Sequence, residues 1–152
     1  MKISKTMEIS AAHVLDGEVK CGRMHGHNYG IEVIIERDNA EKLKHGMVIN
    51  YDVIKEIVMK YDHKLIASQQ QLILADAKTY SMKLNGEPLT MPVEWVEFIP
   101  EEATAENIAK YIAQEIIQRI RSIYPDSALY SHEILVTVKE TESSSANYFE
   151  VF

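Results

Sequence analysis

Cysteine is almost absent from this sequence. Cys21 stands alone, so no intramolecular disulfide can form, and a lone free thiol suits a reducing compartment. Positive charge is also in short supply: 16 Lys and Arg stand against 23 Asp and Glu, a formal net charge of −7. That balance argues against a general nucleic-acid binder, which needs surplus cations to neutralise phosphates, although a small anionic substrate needs only a local cationic pocket. No apolar run approaches the roughly 18 residues of a membrane span. The opening MKISKTMEIS holds no apolar stretch long enough for a signal peptide, and the expected location is the cytoplasm. There is no internal repeat, and no low-complexity tract beyond Ser143-Ser144-Ser145. What remains is ordinary for a globular chain: 152 residues, 46% apolar and 26% charged, enough for one domain over residues 1–152 with a core of its own.

Periodicity supplies the elements. From Ile3 to His13 the odd positions read Ile3, Lys5, Met7, Ile9, Ala11 and His13, a period of two that predicts a half-buried strand. A polar loop follows over Gly17–Gly22. The alternation returns with His25, His27, Tyr29, Ile31, Val33 and Ile35 on one parity, a long antiparallel-type strand. Val53, Ile54, Ile57, Val58 and Tyr61 recur at helical spacing behind Asn50 as N-cap. A second helical stripe runs from Ile108 through Ile112 and Ile116 to Ile120, entered through the cap Thr104 and ended before Pro125. Between the helices, Thr79–Thr90 reads as a hairpin turning at Asn85-Gly86. A strand over His132–Glu140, a Ser-rich turn and a short strand over Tyr148–Phe152 close the chain. The order predicts an α+β domain, a mostly antiparallel sheet with both helices on one face.

The chemistry gathers at the strand ends. His25 and His27 share one face, about 7 Å apart at the backbone, while Gly26 leaves the other face bare. His13 ends the buried parity of the first strand, where hairpin pairing would set it opposite them. Three neutral imidazoles with one open position are the ligand set of a catalytic zinc. Two histidines in a strand are more often surface or satisfied core residues; three at the ends of adjacent apolar faces shift that balance, since an unpaired buried imidazole is costly. His45 and His132 have no such setting and read as ordinary.

Cys21, between Lys20 and Gly22-Arg23, has the cationic surroundings that favour a thiolate over a core thiol. Asp62-His63 pairs a carboxylate with an imidazole in a potential acid–base relay, a dipeptide that says little alone. Glu140 continues the inward parity of His132, Ile134, Val136 and Val138. There its two oxygens would match paired N–H donors of a heterocycle, and a solvated strand end is nearly as good a reading.

Taken in order, Ala11-Ala12-His13, Cys21-Gly22-Arg23-Met24-His25-Gly26-His27-Asn28-Tyr29, Gly46-Met47-Val48, Asp62-His63-Lys64, Thr104-Ala105-Glu106-Asn107 and Lys139-Glu140-Thr141 resemble the 6-pyruvoyl-tetrahydropterin synthase family. That family includes the 6-carboxytetrahydropterin synthases of deazapurine (queuosine and archaeosine) biosynthesis. The resemblance spans nearly the whole chain except about residues 66–100. It implies a four-stranded antiparallel sheet with two helices on one side, in trimers that close a barrel and stack as a hexamer. It implies zinc on His13, His25 and His27, with Cys21 as catalytic base and Asp62 and His63 completing a proton relay from a neighbouring subunit. Glu140 would grip a pterin ring, helped by Thr104, Ala105 and Glu106, with Lys20, Arg23 and Lys64 as candidates for its triphosphate. The implied substrate is 7,8-dihydroneopterin triphosphate. The implied reaction is that of a lyase giving 6-carboxytetrahydropterin, acetaldehyde and triphosphate. The three-residue spacing between Cys21 and His25 resembles this branch, the animal pyruvoyl synthases having a longer loop. Triphosphate elimination to 6-pyruvoyl-tetrahydropterin is the alternative product, and a non-catalytic zinc-bearing module is the alternative outside enzymes. Three features depart from the pattern: Asn50 where many bacterial members carry Asp, Ala103 before the second helix, and the longer stretch between Lys64 and Thr104 with its extra hairpin.

Overall fold

A computed structural model describes residues 1–38, 46–123 and 131–152. His45 and Pro125 lie outside the described residues. Two long strands form the spine, β1 (Lys2–His13) and β2 (His25–Arg37), paired antiparallel along their whole length from Lys2↔Glu36 to His13↔His25. β2 continues into β8 (His132–Lys139) and β8 into β9 (Ser145–Val151), both antiparallel. These four are the antiparallel strands read from the sequence, the last beginning three residues earlier than its pattern indicates.

Among the described residues the sheet has six strands, not four, and is mixed. β3 (Lys64–Ser68) runs parallel to β1 and β7 (Val96–Ile99) runs parallel to β3, giving the order β7-β3-β1-β2-β8-β9. The physical reason these two escape a periodicity reading is that β3 is buried on both faces. Ile66 joins the main core, whereas Leu65 and Ala67 join a second, smaller one with Val14, Met82, Leu84 and Val96. A strand between two cores has no polar face to alternate with. The smaller core is covered by a second sheet, β4 (Leu72–Ala75), β5 (Thr79–Leu84) and β6 (Glu87–Pro92). Its β5–β6 hairpin turns at Asn85-Gly86 with φ of +46° and +92°, the left-handed pair that such a two-residue turn requires.

Both helices pack on one face of the large sheet. α1 (Tyr51–Met59) starts at Asn50, whose Oδ1 accepts from the Asp52 N–H at 2.9 Å, and buries Val53, Ile54, Ile57 and Val58. α2 (Ala105–Ile123) starts at Thr104, whose Oγ1 accepts from the Asn107 N–H at 3.3 Å. Its stripe from Ile108 to Ile120 meets Ile31, Val33, Ile35, Ile134, Val136 and Val138 from the sheet. After α1, Lys60 and Tyr61 both reach Glu115 on α2, the Tyr61 hydroxyl donating at 2.7 Å, and this fixes the chain just before Asp62-His63. Among the described residues no helix is long and apolar enough to cross a membrane.

Ile116 is fully buried beneath α2, and Arg119 on the outer side meets Glu56 in an exposed pair at 3.3 Å. Ile116→Ala should therefore cost about 2–5 kcal/mol in urea unfolding. Arg119→Ala should cost less than about 1 kcal/mol. Equal losses would mean that α2 is not held by its apolar stripe.

Candidate active site

The register of β1 and β2 carries the site. Pairing His13 with His25 and Ala11 with His27 puts three imidazoles at one end of the sheet, on the face toward α2. One nitrogen from each ring lies within 4.8 Å of the others. A Cβ built on Gly26 would stand 2.8 Å from the Ala11 carbonyl oxygen, so glycine between the two histidines is demanded by the close approach of β1.

The hydrogen bonds assign the tautomers. His13 Nδ1 lies 2.7 Å from the Ala103 carbonyl oxygen, and His25 Nδ1 lies 2.7 Å from the Arg23 carbonyl oxygen. A carbonyl only accepts, so both Nδ1 atoms carry the proton and both Nε2 atoms present a lone pair. Yet those two Nε2 atoms face each other at 2.9 Å, and His27 Nε2 is buried without a hydrogen-bond partner. Burial also pushes the His13 pKa down, favouring the neutral ring. Three imidazoles with converging nitrogens, two of them oriented through Nδ1 by the backbone, fit a divalent metal and leave a coordination position open.

Glu140 follows β8 directly and leans over the cluster, its Oε1 3.4 Å from His27 Nε2 and 3.7 Å from His13 Nε2. The Tyr29 ring packs at 5.3 Å from that of His27; its hydroxyl is buried without a partner, and burial raises its pKa, with smaller contributions from Glu140 and Cys21. Cys21, half-buried, sits in the turn-rich loop between β1 and β2, where its carbonyl accepts from the Leu15 N–H at 2.9 Å.

Asp62 and His63 are held at Ser10, three residues before His13. The Ser10 N–H donates to Asp62 Oδ1 at 2.9 Å, and the His63 N–H donates to the Ser10 carbonyl at 2.7 Å. His63 adopts φ +56°, an uncommon conformation for a residue with a side chain, held by this contact. Its Nδ1 lies 2.9 Å from Asp62 Oδ2, while the ring is 81% exposed. The Ser10 hydrogen bond, aided by the His63 ring, keeps the Asp62 carboxyl below its usual pKa. The carboxylate thus fixes the ring through Nδ1 and leaves the rest of the His63 ring open to solvent.

An open groove of about 1010 Å³ runs past His27, Glu140 and His63, with Lys64, Lys139 and Trp95 on its walls. Lys64 Nζ also donates to the Glu94 carbonyl. At the start of α2, Ala105 turns its side chain into the core and Glu106 is exposed, so Ala105 can offer a ligand only its backbone. Periodicity gives no sign of the Ala103 carbonyl behind His13, since a backbone acceptor has no residue signature. Lys139 also lines the groove without having been singled out above; its signal in the sequence is its outward parity beside Glu140.

The family model described as 6-pyruvoyl tetrahydropterin synthase matches residues 2–151. A Haemophilus influenzae relative named 6-carboxy-5,6,7,8-tetrahydropterin synthase is 35% identical over 118 residues, covering 73% of this chain and 78% of its own. A Pyrococcus abyssi protein that carries the same name provisionally is 32% identical over 150 residues, covering 91% of this chain and 92% of its own. Among solved structures, the 6-pyruvoyl tetrahydropterin synthase of Plasmodium vivax superposes with a TM-score of 0.71 at 21% identity, over 100% of this chain and 99% of that one, a likeness of fold. With the model spanning both ends of the sheet and every strand between them, the chain belongs to the 6-pyruvoyl tetrahydropterin synthase family.

Proposed function

We propose that the chain is a zinc-dependent lyase that converts 7,8-dihydroneopterin triphosphate and one water to 6-carboxy-5,6,7,8-tetrahydropterin, acetaldehyde and triphosphate, as in 7-deazapurine biosynthesis. The observation that carries the reading is the facing pair of Nε2 lone pairs at 2.9 Å on His13 and His25, with the orphaned His27 Nε2 beside them. The names of the relatives supply the product. His13, His25 and His27 hold the zinc, which when bound polarises hydroxyl groups of the substrate side chain and eases loss of their protons.

The remaining roles belong to the chain's own groups. Cys21 Sγ, as thiolate, takes a proton from the substrate side chain. His63 Nε2, its ring oriented by Asp62 at Nδ1, exchanges the complementary proton, and its exposed ring suits work on the site of a neighbouring subunit. A barrel-forming trimer, stacked as a hexamer, would bring the two together. Glu140 pairs its oxygens with the amino group and adjacent ring N–H of the pterin, with the Thr104–Glu106 backbone alongside. Lys64 and Lys139 on the groove walls, with Lys20 and Arg23 of the loop, offer charge to the triphosphate. A reducing compartment, the cytoplasm, suits a protein whose one thiol must stay free.

Glu140→Gln should retain the metal and weaken pterin binding by about 2–5 kcal/mol, because one acceptor becomes a misdirected donor in a charge-assisted pair. Titration calorimetry with a non-reactive pterin checks this. Loss of the metal in that variant would instead make Glu140 a fourth ligand, consistent with its place 3.4 Å from His27 Nε2.

The proposal itself is tested by incubating the protein with dihydroneopterin triphosphate and identifying products by mass spectrometry. The expected result is 6-carboxytetrahydropterin with equimolar acetaldehyde, abolished by Cys21→Ala while zinc content and folding persist. A pterin retaining all three side-chain carbons would move the assignment to the pyruvoyl branch. No turnover at all would leave a zinc-bearing binding module.

A further inference from the structure

The second sheet, which the family resemblance leaves without a role, ends at the Asn85-Gly86 turn, and that turn is pressed onto the loop that carries Cys21. Asn85 makes three hydrogen bonds into this loop. Its backbone N–H donates to Asp16 Oδ1 at 2.5 Å, its Oδ1 accepts from the Gly17 N–H at 3.0 Å, and its Nδ2 donates to the Gly22 carbonyl at 3.0 Å. Gly22 is the residue next to Cys21, so one amide side chain holds both ends of the segment Gly17–Gly22 with the thiol inside it. The fit allows no slack: a Cβ on Gly22 would stand 2.4 Å from Asn85 Nδ2 and 2.1 Å from the Glu18 carbonyl oxygen. The amide reaches this position from φ +46°, a left-handed conformation in which asparagine is among the most tolerated side chains. Asp16 is secured in turn by the buried Gln71, whose Nε2 donates to it at 3.1 Å and to the Val14 carbonyl at 3.3 Å.

We propose that Asn85 is a positioning residue for the Cys21 thiol: through its side-chain amide, the inserted hairpin sets where the thiol stands relative to the three histidines. The inference rests on the reading of Cys21 as the group that moves a substrate proton. The metal ligands lie on paired strands, whereas Cys21 lies on a loop with no ladder of its own. Loss of the amide therefore leaves the thiol held by the loop's own backbone bonds alone, among them Leu15 N–H to the Cys21 carbonyl, while strand pairing keeps the three histidines in register. A catalytic group displaced by about 1 Å can cost about a hundredfold in rate.

Two variants of the metal-loaded full chain test this. Asn85→Gly keeps the left-handed backbone and the N–H to Asp16 but deletes both side-chain bonds. Asn85→Asp keeps the acceptor for Gly17 and turns the donor facing the Gly22 carbonyl into a second, repelling acceptor. Because the chain has one cysteine, its alkylation by iodoacetamide reports on Cys21 alone. Both variants should keep their zinc and a cooperative melt, and Cys21 should be alkylated about tenfold faster as the freed loop opens more often. With dihydroneopterin triphosphate, kcat should fall about 10- to 100-fold while KM stays within about twofold, since the pterin and metal contacts are untouched. Alkylation and kcat both unchanged, or activity lost only in proportion to zinc, would overturn the proposal. Faster alkylation in variants of a parent with no pterin turnover would overturn the functional reading and leave the clamp standing.

Discussion

Two imidazole nitrogens held 2.9 Å apart, each with its ring partner committed to a backbone carbonyl, set the terms for the rest of this structure. Neither can rotate to relieve the other without abandoning a 2.7 Å hydrogen bond in a site where His13 is only 1% exposed. Removing such a bond and leaving the donor buried costs about 1–3 kcal/mol, so the cheaper resolution is a cation shared between the lone pairs. The strand register, the glycine between His25 and His27, and the entry to α2 that supplies the Ala103 carbonyl all serve that convergence. Glu140, arriving from a third strand, completes the wall on the side where a ligand would approach.

Much of this was legible in the residues because β1, β2 and β8 are buried on one face only. Alternation then marks which side chains share the inner face, and it carries His13, His25, His27 and Glu140 to one end of the sheet. The caps Asn50 and Thr104 and the Asn85-Gly86 turn were legible for a related reason, since each meets a local backbone demand that only a few residue types satisfy. The parallel strands β3 and β7 were not. They are short, and β3 touches a core on both sides, so its pattern carries no period of two. The partners of the site were hidden for other reasons: Ala103 acts through a carbonyl, and Asn85 comes from a part of the chain 64 positions beyond Cys21, joined to it only by the tertiary fold.

The departures from the family pattern take on physical content in this light. The long stretch between Lys64 and Thr104 builds two sheet strands, a second core and a hairpin whose tip reaches the loop before the metal cluster. Asn50, where many bacterial members carry Asp, retains an Oδ1 that caps α1. Ala103, in place of Pro, Ser or Thr, contributes its carbonyl to His13, a role that any residue type could fill. None of these departures removes a group from the cluster, from Cys21 or from the Asp62-His63 pair. The parts of the site differ instead in how they are held: the histidines by strand pairing, Asp62 and His63 by the β1 backbone at Ser10, and Cys21 by a loop fastened from outside.

The central claim is that three histidines, and not the thiol, bind the metal. X-ray absorption at the zinc edge of protein purified without added metal tests it most directly. The account predicts a first shell of three imidazole nitrogens at about 2.0–2.1 Å with one further light-atom ligand and no sulfur. A sulfur shell at about 2.3 Å would contradict it, making Cys21 a ligand and the site a closed, structural one.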